Sequence, residues 1–92
     1  MRVRVEASCT YGADNLIKEY PWLKKYNFED PDKDKKTIWG NQLRNVYITV
    51  ESLEDLLNIV HKSEQPIILS YDRIPRTYIY EWVLEIYDGY RE

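Results

Sequence analysis

Ninety-two residues, 43% hydrophobic and 32% charged, make one domain, because half that length is too short to bury a core unaided. The net charge of −3 gives no general pull toward nucleic acid or an anionic membrane and is too mild for a DNA mimic. A single cysteine, Cys9, excludes an internal disulfide and a thiolate zinc site within one chain.

Residues 1–9 alternate, with Val3, Val5, Ala7 and Cys9 on one face and Arg2, Arg4, Glu6 and Ser8 on the other. This predicts a first strand with Cys9 as a buried core thiol. The same stretch has no apolar signal core, and no run approaches the length of a membrane span, so a cytoplasmic location is expected. After a turn at 10–13, Asp14 or Asn15 caps a helix that buries Leu16, Ile17 and Tyr20. Pro21 ends that helix and opens a second short turn with Trp22, Leu23 and Tyr26 apolar.

Residues 27–37 are the most polar stretch and read as an exposed, mobile loop. Thr37-Ile38-Trp39 suits a short strand and Gly40-Asn41 a turn. Residues 45–50 predict the second main strand, Val46, Ile48 and Val50 alternating with Tyr47 and Thr49. Ser52-Leu53-Glu54-Asp55 resembles a capping box. It opens a helix whose apolar stripe is Leu53, Leu56, Leu57 and Val60, with His61 and Lys62 at its negative end. Residues 66–71 read as a strand, which implies a right-handed parallel crossover from 45–50.

Asp72 to Arg76 is a connection of hairpin length. The last strand is expected over 77–87, with Tyr78, Tyr80, Trp82, Leu84 and Ile86 on one face and Ile79, Glu81, Val83, Glu85 and Tyr87 on the other. The order β-α-β-α-β-β predicts a single α+β domain over 1–92, a mixed four-stranded sheet with two helices on one face and the other face open.

Motifs for chemistry are sparse. The only glycines, Gly12, Gly40 and Gly89, stand alone, so no backbone cradle for phosphate is encoded. Cys9 and His61 are the one possible thiol–imidazole pair, and neither an arginine nor a glycine-rich turn follows Cys9 to activate it. Glu81 and Glu85 project from one strand face about 13 Å apart, too far for a retaining glycosidase pair. They are better placed to pair with Arg2 and Arg4. Asp30, Asp32 and Asp34 alternate like calcium-loop ligands but lack the required glycine and final glutamate. The reading is a non-enzymatic protein with no cofactor and no metal.

Nine tyrosines and three tryptophans stand against one phenylalanine, a composition suited to half-buried positions and interfaces. Three surfaces compete for a partner. The open sheet face would present Tyr47, Ile79, Glu81, Val83, Glu85 and Tyr87 beside Arg2, Arg4 and Thr49, with Ile79, Val83 and Tyr87 an exposed apolar row. The others are the aromatics around Pro21-Trp22 and Trp39, and the tail 87–92. The open face is preferred, for a protein partner or self-association. The alternative is a nucleic-acid or nucleoprotein site on Lys33, Lys35, Lys36 and Trp39, although Asp30, Asp32 and Asp34 neutralise it.

The strand-type start, the Glu19-Tyr20-Pro21-Trp22-Leu23-Lys24-Lys25-Tyr26-Asn27-Phe28 segment, the Glu51-Ser52-Leu53-Glu54-Asp55-Leu56 helix entry and the closing Glu85-Ile86-Tyr87-Asp88-Gly89-Tyr90-Arg91-Glu92 together resemble small accessory proteins of Gram-positive phages and prophages. The resemblance covers most of the chain in patches. It implies an accessory protein that acts on a host factor, and it carries no catalytic residues.

Overall fold

Alternation puts Val3 and Val5 on the covered side of β1 (Arg2–Ala7) and Arg2 and Arg4 on the other. The computed structural model describes residues 1–10, 13–29, 46–74 and 76–88. Within them β1 is followed by α1 (Ala13–Glu19), a 3-10 helix (Pro21–Tyr26), β2 (Val46–Thr49), α2 (Leu53–Lys62), β3 (Ile67–Arg73) and β4 (Tyr80–Ile86). The chain is α+β in the order read from its periodicity. The expected strand at 37–39 and turn at 40–41 lie outside the described residues.

The sheet is mixed and four-stranded, in the order β2-β1-β4-β3. β1 pairs antiparallel with β2 and parallel with β4, and β3 pairs antiparallel with β4. β2 and β3 therefore run the same way, as the crossover required, yet they are opposite edges with β1 and β4 between them. The short β3–β4 connection forces those two strands together as a hairpin. The free side of β4 is then what β1 takes, so α2 must carry the chain from one edge to the other.

One buried cluster joins Leu16 of α1, Tyr20 just after it, Leu23 of the 3-10 helix and Leu56 and Ile59 of α2 to Val3, Val5, Ile48, Leu84 and Ile86 of the sheet. The helices thus cover one face. Pro21 holds the first position of the 3-10 helix and Tyr20 before it leaves the helical region at φ −128, ψ 68. Asn27 ends that helix in the left-handed region, which asparagine tolerates better than most residues. Ser52 caps α2, its Oγ accepting from the Asp55 N–H at 3.2 Å. Ser52→Ala is expected to lower stability by about 1 kcal/mol, read as a lower urea midpoint at unchanged slope.

Several local expectations shift. α1 begins at Ala13, so Asp14 lies in its first turn. The buried stripe of α2 is Leu56 and Ile59, with Val60 packed against it, while Leu53 and Leu57 are exposed. Cys9 is exposed because β1 ends at Ala7 and the chain turns to bond elsewhere. β4 begins at Tyr80 rather than at 77, and β3 runs on through Arg73. The cause is local. Arg76 adopts a positive φ of 65, and the Thr77 hydroxyl donates to the Ile74 carbonyl while accepting from the Ile79 N–H. This side-chain turn competes with the ladder. It leaves Tyr78, expected on the core face, 93% exposed.

Candidate binding surfaces

On the face opposite the helices, Arg4 sits between two carboxylates. Its Nη1 donates to Glu6 Oε1 at 2.5 Å. Its Nε lies 2.6 Å from Glu81 Oε1 without the alignment of a hydrogen bond, so that contact is an ion pair. The Tyr47 hydroxyl donates to Glu81 Oε2 at 3.2 Å. Burial, then the charge and hydrogen bond of Glu81, raise the Tyr47 pKa. Arg2 lies over the Tyr47 ring, 3.8 Å from its centre, and pairs with Glu29 at 3.1 Å.

This network changes the character of the open face. Of the six residues expected to present there, Tyr47 and Glu81 are engaged with their neighbours, and Glu85 and Tyr87 are half-buried. Val83 is only 2% exposed, against the expectation of an exposed apolar row. It is paired laterally with Arg4 on β1 and Ser70 on β3. A residue on a central strand is closed over by long side chains beside it even without a second layer. Ile79 is 62% exposed, but it precedes β4 and belongs to the hairpin tip.

Large exposed groups gather instead at the far end of the β3–β4 hairpin. Tyr71 and Tyr80 stack at 5.4 Å and 17°, and Tyr71 meets Trp82 at 4.9 Å and 52°. The three share the helix-side face in register with Val3, past the part that the helices cover. Tyr71 is 54% exposed and Tyr80 51%, with Tyr78 and Ile79 beyond them. A notch of about 330 Å³ lies where β4 outruns β1, bounded by Met1, Tyr47, Tyr80 and Trp82. Arg73 is the register partner of Tyr80. Among the described residues, neither Arg73 nor Arg76 has a carboxylate at ion-pair distance.

A second concavity, about 420 Å³, lies between the 3-10 helix and the C-terminal end of α2. Trp22 and Tyr26 form one wall in edge-to-face contact at 6.3 Å, and Lys25, Lys62, Glu19 and Glu64 ring it with balanced charge. Trp39, expected beside it, lies outside the described residues, as do Lys33, Lys35, Lys36 and the tail past Asp88. Among the described residues no group of three metal-ligating side chains occurs, and no helix is long and apolar enough to cross a membrane.

Sequence reasoning passed over Asp88, the one buried carboxylate among the described residues. It accepts from the Ser8 hydroxyl at 2.9 Å, the Cys9 N–H at 2.6 Å, the Thr10 hydroxyl and the Tyr20 hydroxyl at 3.0 Å. Burial by itself would raise its pKa; the donors, led by Thr10 and the Cys9 N–H, outweigh it and bring the pKa down to about 2. Tyr20 moves the other way, raised by burial and by Asp88. Every oxygen of this carboxylate is occupied by structural donors, so it locks the chain beyond β4 to the β1–α1 connection.

No protein-family model, curated protein or solved structure matches the chain.

Proposed function

We infer that this chain is a non-enzymatic protein-binding module that docks an acidic partner on the aromatic end of the β3–β4 hairpin. The observation that carries the reading is the continuous exposure of Tyr71, Tyr78, Ile79 and Tyr80 beside two arginines that have no carboxylate at ion-pair distance among the described residues. Tyrosine, tryptophan and arginine are the residues that most often anchor interfaces. A monomer gains nothing from leaving them in water. Two guanidiniums match one or two carboxylates. A polynucleotide would call for a run of cations along its backbone, and the net charge of −3 disfavours it. The phage- or prophage-type accessory role, acting on a host protein, rests on the resemblance, and the cytoplasmic location on the strand-like first residues; both are part of this proposal.

The test places a photo-crosslinking phenylalanine analogue at Tyr78, or at exposed Thr49 on the open face, in nuclease-treated Gram-positive lysate. A discrete protein adduct is expected from position 78 alone, lost when Arg73→Glu and Arg76→Glu are combined. The captured protein, once purified, should bind the Tyr80→Ala variant about 30-fold more weakly than the wild type. An adduct from position 49 alone, or one indifferent to both charge reversals, refutes the assignment. An adduct that nuclease treatment removes points to nucleic acid instead.

A further inference from the structure

We propose that the outer edge of β3 pairs antiparallel with β3 of a second copy of this chain, making one continuous eight-stranded sheet. The inference starts from hydrogen-bond phase. The β3–β4 register is unbroken from Ile67–Ile86 to Arg73–Tyr80. It is bracketed by bonds from the Tyr87 N–H to the Pro66 carbonyl and from the Ile74 N–H to the Ile79 carbonyl. In an antiparallel ladder bonded pairs recur every second residue, so Ile68, Ser70 and Asp72 direct their backbone groups to β4. Ile67, Leu69, Tyr71 and Arg73 point theirs outward. β3 is the terminal strand of the sheet, and among the described residues nothing receives those groups.

The two edges are treated differently. On β2, Glu29 and Tyr47 exchange both backbone bonds, at 2.8 and 2.9 Å, which closes part of that edge. Among the described residues β3 has no such cover. Its seven residues contain no proline, no lysine and no bulge, and its two charged residues, Asp72 and Arg73, stand together at its end, so most of the strand lacks the devices that keep sheet edges from pairing. Ile68 is 48% exposed on one face of the strand and Tyr71 54% on the other. What an open backbone edge of this kind accepts is another extended strand.

Self-complementarity selects a second copy and a register. A two-fold axis perpendicular to the sheet preserves its faces and needs outward-pointing residues to form the bonded pairs. With the axis at Tyr71, Ser70 faces the second copy's Asp72, Ile68 faces its Ile74, and Leu69 lies against the aliphatic stem of its Arg73. An axis at Asp72 would oppose two carboxylates, and one at Ser70 would set Ile68 against Asp72. The Tyr71 register avoids both, and unlike an axis at Leu69, which sets Ser70 against Ile68, it gives the Asp72 carboxylate a hydroxyl opposite. It also joins the two aromatic ends side by side, although the pairing does not depend on the partner inferred above.

The experiment reads mass and amide exchange on the protein alone. Sedimentation equilibrium over a wide concentration range should show a species of twice 11.2 kDa. In it the Leu69 and Tyr71 amides should gain protection as concentration rises. Tyr71→Lys or Tyr71→Glu alone should raise the dimerisation midpoint about fivefold, because like charges then face each other across the axis. Mixing the two variants should restore the dimer as a heterodimer. A monomer at all concentrations overturns the proposal. So does a dimer whose Leu69 and Tyr71 amides stay unprotected, or a mixture that fails to recover. Protection that appears only with a different protein assigns the edge to that partner and also overturns self-pairing.

Discussion

Val83→Arg is expected to unfold the domain rather than to detach a partner. Val83 is 2% exposed and sits beside Arg4 in the central pair of strands. An arginine there either buries a second cation next to one whose carboxylates are already engaged or pushes Arg4 off Glu81. An uncompensated buried charge costs about 3–5 kcal/mol, a large share of the stability of an ordinary small domain. Far-UV circular dichroism with urea titration checks it. A native spectrum with an unmoved midpoint would show that the open face is not closed over Val83. Tyr80→Ala, on the exposed aromatic end, should keep its fold and midpoint within about 1 kcal/mol, because a half-exposed ring leaves no cavity.

Asp88→Ala carries the second large effect, a loss of about 3 kcal/mol, since four donors lose a charged acceptor at once. Asp88→Asn keeps one acceptor oxygen and should cost about half as much. The pH dependence separates charge from packing. The carboxyl is lowered from 3.8 to about 2 in the fold, so its stabilisation is complete above pH 3.8 and is lost as pH falls through about 2. Wild-type stability should drop over that window by about 2 kcal/mol more than that of Asp88→Asn. Equal acid limbs in the two proteins would mean that the carboxylate is not the lock described here.

Much of the architecture was readable because it rests on short-range periodicity. Val3 and Val5, Val46 and Ile48, Leu84 and Ile86 alternate, and an alternating run can bury only one face. Ser52 with Asp55 three residues on marks the start of α2, and Pro21 marks the end of α1. These signals act within a few residues of the chain and needed no knowledge of neighbours. The candidate surface was harder. Alternation correctly placed Glu81 and Val83 on the face away from the helices. It carried no information on whether Arg4 and Ser70 would close over Val83 or Arg4 would hold Glu81. Ser8, Thr10, Tyr20 and Asp88 lie up to 80 residues apart. They meet only because β1 pairs parallel with β4, which brings the residues after both strands to the same end.

By itself, then, the sequence determined the α+β class, the two helices and four main strands, and which side chains of each strand share a face. Those follow from backbone periodicity and from Pro21 and Ser52 at element ends. Strand order, the closing of the open face, the Asp88 lock and the aromatic end of the hairpin were decided by tertiary structure. Each depends on which strands become neighbours; the short connection sets the β3–β4 pair, and the remaining neighbours are chosen by long-range packing against a shared core rather than by a local signal.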